Sequence, residues 1–149
     1  MIGTFGEYVE SLKLPAPVLP RIDLAYERCA KLCPEKLTGI FVSEYIADNG
    51  QRTVESVAFY SESFWLEADP LLSSDNIHVL PLGNNIQQID VAPHNYDLKK
   101  ATDASRFSVT YSFRAIGSLG SDWVLKASQD NCDTLRDVLV KVLIPNLDR

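Results

Sequence analysis

Apolar residues near the start of the chain recur at helical spacing: Phe5, Tyr8, Val9 and Leu12 fall at i, i+3, i+4 and i+7. Thr4 and Glu7 have the spacing of a capping box, so a short helix is expected over residues 4–12. The stretch 14–20, with prolines at 15, 17 and 20, cannot continue it, because each proline lacks an N–H and holds its predecessor extended. It reads as a stiff connector. A second helix is expected from Pro20, which suits a first turn, to about Cys33, with Pro34 closing it. Its apolar face comprises Ile22, Ala25, Tyr26, Cys29, Leu32 and Cys33.

From Leu37 the period changes to about two. Ile40, Val42 and Ile46 share one face of a strand, Phe41 and Tyr45 the other. Asn49-Gly50 predicts a type I′ hairpin turn into a return strand over residues 52–60. A second turn at Ser61-Glu62 leads to a strand over 63–67, and Asp69-Pro70 and the polar stretch 73–76 break the chain again. Residues 77–82 and 86–91 read as a further pair across Gly83-Asn84-Asn85, with Pro81 marking an edge or a strand end. Phe107, Val109, Tyr111 and Phe113 alternate without error against polar neighbours, the mark of a half-buried antiparallel strand. Gly117 to Gly120 turns the chain into a last strand carrying Trp123, Leu125 and Ala127. A helix over residues 131–143 follows, capped by Asp130, with Asp133 at the positive end of its dipole and Cys132, Leu135, Leu139 and Val142 facing inward. Pro145 is expected to end it.

These elements predict an α+β protein: a strongly bent antiparallel sheet of seven strands closed by a C-terminal helix, with two N-terminal helices outside it. The 149 residues suit a single domain, residues 1–35 forming a helical extension and 36–144 the body. Phe64 and Trp65 are adjacent on a strand and so take opposite faces, which places one of them outside the main core, under the N-terminal helices or a partner. Both tryptophans, Trp65 and Trp123, are assigned to packing.

Composition narrows the partners. The net charge is −6, with 14 Lys+Arg against 20 Asp+Glu, and the densest basic pair is Lys99-Lys100. Nucleic acid and anionic membrane surfaces are recognised through basic clusters, and neither is expected as a partner. No apolar run approaches the roughly 18 residues a transmembrane helix needs, and the N-terminus lacks a signal-peptide pattern. Three cysteines in a chain of this size suit a reducing compartment, and the expected location is cytoplasmic.

Candidate chemistry is sparse. Cys29 and Cys33 lie one helical turn apart, but a structural zinc needs four ligands, so Cys132, His78 and His94 would have to converge on them from three other elements. Both fall on an apolar helix face, where cysteine acts as a small hydrophobe, and no metal or cofactor is expected. His78, among Ile77, Val79 and Leu80, reads as an outward or singly hydrogen-bonded strand residue. The Glu44 carboxylate with that of Glu55 or Glu67 can approach across strands, which exposed strand positions explain equally well. Nucleophile-elbow, phosphate-loop, dinucleotide and HExxH motifs are absent. The aperiodic polar stretch 92–105 is the leading binding loop, with His94, Tyr96, Asp97, Lys99 and Lys100 as candidate contact residues.

Seven consecutive antiparallel strands followed at once by an amphipathic helix resembles the pleckstrin-homology-like superfold over residues 36–144, by order of elements. Phosphoinositide-binding members carry several Lys and Arg on the first hairpin; here residues 36–60 hold Lys36 and Arg52 alone, so headgroup binding is not carried over. The resemblance implies a protein or peptide interaction module. The function expected is thus a non-enzymatic intracellular binding or adaptor module, with homo-oligomerisation left open, contacting its partner through the 92–105 loop and the N-terminal helices. A carrier with an apolar barrel pocket is the alternative, which needs small inward residues where Phe107, Tyr111, Phe113 and Trp123 stand, and a hydrolase the third.

Overall fold

The computed structural model describes residues 5–69, 76–96, 101–114 and 122–148. The protein is α+β, and the described strands form two antiparallel sheets of four and three strands in place of one bent seven-stranded sheet. By contact density the chain falls into two compact units, Met1–Leu80 and Pro81–Arg149. No described helix is long and apolar enough to cross a membrane.

The first unit contains α1 (Gly6–Ser11), a 3₁₀ turn at Ala16–Val18 within the proline-rich connector, and α2 (Leu19–Leu32). Its sheet has the order β1 (Gly39–Ile46), β2 (Arg52–Tyr60), β3 (Phe64–Ala68), β4 (Ile77–Pro81). Thr4 of the expected capping box lies outside the described residues, and Phe5 occupies the N-cap position of α1 with no side-chain cap. One face of the sheet, with Ile40, Val42, Val54, Val57, Phe59, Leu66 and Ala68, packs with Val9 and Leu12 of the N-terminal segment and Ile22, Ala25 and Cys29 of α2. Phe64 is part-buried against this same cluster, on the helix side of the sheet. Trp65 takes the other face and is fully buried. Leu32, expected on the apolar face of α2, is its last residue and is 55% exposed, and Cys33 then leaves the helix in extended conformation.

Val54 and Val57 share the core face although they are three residues apart. Ser43 stands opposite Ser56 but Glu44 opposite Val54, so Glu55 is an extra residue in β2. Such a bulge resets the alternation, and the strand keeps one apolar face on both sides of it. The hairpin tip also departs from the type I′ expectation. Gly50 has φ +81 but Asn49 lies outside the left-handed region. Gly50 N–H donates to Ala47 O at 2.8 Å and Ala47 N–H to Gln51 O at 2.9 Å. The loop is therefore three residues, Asp48 to Gly50, a type I turn closed by a left-handed glycine.

β1 is the terminal strand of this sheet, and an uncovered strand edge invites pairing with other chains. Tyr8 of α1 covers part of it: its Oη accepts the Val42 N–H at 3.0 Å. At the same end, Arg52 Nη1 donates to Leu12 O, just past α1, at 2.7 Å. The helix is pinned to the sheet by two polar contacts as well as by its apolar residues.

The second unit contains β5 (Ile86–Ala92), β6 (Arg106–Phe113) and β7 (Trp123–Ser128) in that order, then α3 (Asn131–Val138). β4 and β5 were expected to pair, yet β4 ends one sheet and β5 begins the other. The connection is a tight turn, Asn85 N–H to Leu82 O at 2.7 Å, with Asn84 at φ +58 and Leu82 buried. β6 alternates as its sequence predicts, with Phe107, Val109, Tyr111 and Phe113 buried. Trp123 is part-buried, less enclosed than expected.

The last helix differs from expectation at both ends. Asp130 occupies the N-cap position without a side-chain hydrogen bond. After Val138 the helix widens into a π turn, Leu139–Leu143, and Pro145 sits inside a final 3₁₀ turn, Ile144–Asn146. The wider turn makes Leu143 fully buried and leaves Val142 part-buried. Proline supplies no N–H to the preceding turn, and Asn146 Nδ2 donates to Val142 O at 2.7 Å.

Candidate functional site

β5 leads directly into the polar stretch picked out by its sequence, and the exposed positions are continuous across that junction: residues 90–95 are all exposed. His94 faces solvent, while its backbone is held at both poles, N–H to Ala92 O at 3.1 Å and O from Arg106 N–H at 2.9 Å. Asn95 adopts φ +53, a left-handed conformation that asparagine tolerates better than most residues. That reversal carries Tyr96 inward.

Tyr96 is buried, its ring centroid 5.1 Å from that of Phe107. Its hydroxyl donates to Asp133 Oδ1 in the first turn of α3 at 2.8 Å. Burial, and then the Asp133 carboxylate, push the Tyr96 hydroxyl well above the usual tyrosine pKa, so it remains a donor. On the far side of the segment, Ser105 Oγ accepts the Thr102 N–H at 2.6 Å and Ser105 O accepts the Gln129 N–H at 2.9 Å. Asp97, Lys99 and Lys100 lie outside the described residues. Of the five candidate residues, then, His94 is presented to solvent and Tyr96 is the anchor of the segment. Sequence reading grouped them because both are polar and sit in one aperiodic stretch.

The cysteines and the strand carboxylates Glu44 and Glu67 are committed within the fold. Cys29 and Cys33 are buried thiols, and burial, followed by the neighbouring Cys33, pushes the Cys29 pKa up to about 12. Cys132 is buried as well, with Sγ 3.6 Å from Ala127 O. Among the described residues no three His, Cys, Asp or Glu side chains are placed to hold a metal ion. His78 is exposed on β4. Glu44 and Glu67 take opposite faces of the first sheet. Glu44 follows Val42 on the helix side, where Arg52 Nε lies 3.2 Å from its Oε2, and Glu67 accepts the Trp65 indole N–H at 3.1 Å. They do not form a carboxylate pair.

One cluster went unnoticed in the sequence. Glu35, just past Pro34, accepts from Ser61 Oγ at 2.7 Å, Ser63 N at 3.0 Å and Ser63 Oγ at 3.0 Å. Ser61 Oγ in turn lies 3.6 Å from Cys33 Sγ and accepts the Phe64 N–H at 3.1 Å. The Ser61 hydroxyl bond, then the Ser63 backbone bond, hold the Glu35 carboxyl below its ordinary range, which makes it a poor base for activating Ser61. The arrangement fastens the β2–β3 turn to the end of α2. Its signal in the sequence was three polar residues, Ser61, Glu62 and Ser63, at a turn, with nothing to indicate that a carboxylate 26 residues away would close it.

This clasp has a pH signature. A carboxyl whose folded pKa is depressed stabilises the fold above its unfolded value and ceases to as pH falls through the folded value. Glu35→Gln is therefore expected to be less stable than the native chain at neutral pH, by an amount that is constant down to about the ordinary glutamate value of 4.5 and shrinks in stronger acid. Urea midpoints of the two proteins along a pH series check this; parallel profiles throughout would show that the carboxylate charge is immaterial.

Comparison with protein-family models, with curated proteins and with solved structures yields no match to this chain.

Proposed function

We propose that the chain is a non-enzymatic intracellular binding module that takes up an extended segment of a protein partner along β5 and the loop that follows it. One observation carries this reading. β5 is the terminal strand of its sheet, and of its seven residues Gln87, Gln88, Asp90, Val91 and Ala92 are exposed, the run continuing through His94. The chain's own tail already uses the start of this edge: Leu147 bridges Ile86 in parallel sense and Asp148 N–H donates to Ile86 O at 2.8 Å. Strand addition draws affinity from main-chain hydrogen bonds and specificity from alternate side chains, and Val91, 43% exposed, is an apolar contact in the right place.

Two further points support it. Ser61 is engaged by Glu35, and the thiols of Cys29, Cys33 and Cys132 are buried. Seven antiparallel strands followed by α3 keep the element order on which the resemblance to the pleckstrin-homology-like superfold rests, with its use as a protein or peptide module.

The test is selection from a displayed peptide library on the immobilised protein. Extended sequences with alternating apolar positions are expected, and Val91→Lys should abolish their binding while the near-ultraviolet circular dichroism is unchanged. Binding that survives Val91→Lys, or turnover in a broad substrate panel that His94→Ala removes, overturns the proposal.

A further inference from the structure

We infer that Asn49 is a site of spontaneous backbone modification, converting through a cyclic imide to aspartate and isoaspartate in the folded protein. Among the asparagines of the chain, Asn49 alone precedes glycine. Without a Cβ the Gly50 nitrogen is open to approach, and the glycine backbone is free to take up the geometry of a five-membered ring. Both residues are exposed at the tip of the β1–β2 hairpin, and a Cβ at Gly50 would meet nothing within 4 Å.

The turn also supplies a donor where charge develops. Gln51 N–H donates to Asn49 Oδ1 at 2.9 Å. When the Gly50 nitrogen adds to Asn49 Cγ, negative charge gathers on that same Oδ1, and a donor already in place stabilises it. The step requires the Gly50 N–H to leave its single turn bond to Ala47 O, with hydroxide taking the proton. The new bond is Gly50 N to Asn49 Cγ; the bond that breaks is Cγ to Nδ2, and ammonia departs. Water then opens the imide at either carbonyl, with no change of oxidation state.

The two products differ in consequence. Aspartate at 49 keeps an oxygen for the Gln51 N–H and so keeps the turn. Isoaspartate routes the main chain through the side-chain carbon, adding a methylene between Ala47 and Gln51, whose N–H to O bond closes the hairpin. One pair further along, Arg52 stands opposite Ile46, so isoaspartate disturbs the end of the hairpin that holds α1.

The experiment is peptide mass mapping of the intact chain held folded at mildly alkaline pH in heavy-oxygen water. The peptide containing Asn49 is expected to convert an order of magnitude faster than those containing Asn84, Asn95, Asn131 or Asn146, to take up one solvent oxygen, and to yield an isoaspartate that isoaspartyl methyltransferase labels. Conversion no faster than at the other asparagines, or a product without isoaspartate, overturns the inference. Asn49→Asp serves as the comparison for stability: it should keep the native thermal midpoint while the aged isoaspartate fraction loses it, and an equal loss in both refutes the role given to the added methylene.

Discussion

Arg52→Met is expected to lower the unfolding free energy by about 3–5 kcal/mol, the range for removing one partner of a buried ion pair. Glu44 is fully buried and Arg52 nearly so, with Nε and Oε2 3.2 Å apart. Removing the guanidinium leaves a carboxylate in an apolar setting among the residues that pack α1 and α2, and it also strips Leu12 O of its Nη1 donor. The pair's own contribution is smaller than the cost of breaking it, since desolvation of both ions offsets much of their attraction. Glu44→Met combined with Arg52→Met should therefore recover most of the loss. Arg52→Lys keeps a charge but not the planar fork that serves Glu44 and Leu12 together, and is expected to fall between. Urea unfolding of the four proteins at equal slope decides the matter. A single-variant loss within about 0.5 kcal/mol, as for an ordinary surface change, would mean that the pair is solvated.

Trp65→Ala should cost a similar amount, about 3–5 kcal/mol, through the cavity left by a fully buried indole. The indole is held on two sides. The Tyr60 ring stacks on it, centroids 5.7 Å apart and planes 9° from parallel, and its N–H is accepted by the buried Glu67. Tyr60 is itself confined: it stands opposite Gly39, and a Cβ there would run into its ring. Glycine, tyrosine and tryptophan thus form one row across β1, β2 and β3, the absent side chain making room for the two large ones. Trp65→Phe retains most of the volume and removes the donor, so it is expected to cost about 1–3 kcal/mol, the price of a buried acceptor losing its partner. Circular dichroism during urea unfolding separates the two variants. If Trp65→Phe costs as much as Trp65→Ala, packing does not set the effect and the hydrogen bond does.

Element identity was largely legible in the chain. The alternation from Phe107 to Phe113, the recurrence of Ile22, Ala25 and Cys29, and Pro34 just past α2 are local signals, and each appears in the structure where the spacing places it. Less was legible of the candidate site. Composition marked the stretch after β5, but Tyr96 and His94, two residues apart, part ways because Asn95 reverses the backbone between them. Nothing in residues 92–105 announces that a hydroxyl will find Asp133, 37 positions on.

The type and order of these elements follow from local signals, because periodicity and proline placement act within a few residues and need no partner. Only in three dimensions does it emerge which strands share a sheet, that Glu55 is the residue set aside in β2 so that Val54 and Val57 face one core, which cation lies beside Glu44, and which groups hydrogen-bond Glu35 and Tyr96. Those outcomes rest on pairings between distant positions, where a strand edge or a buried polar group takes whichever complementary group the rest of the packing brings within hydrogen-bonding reach.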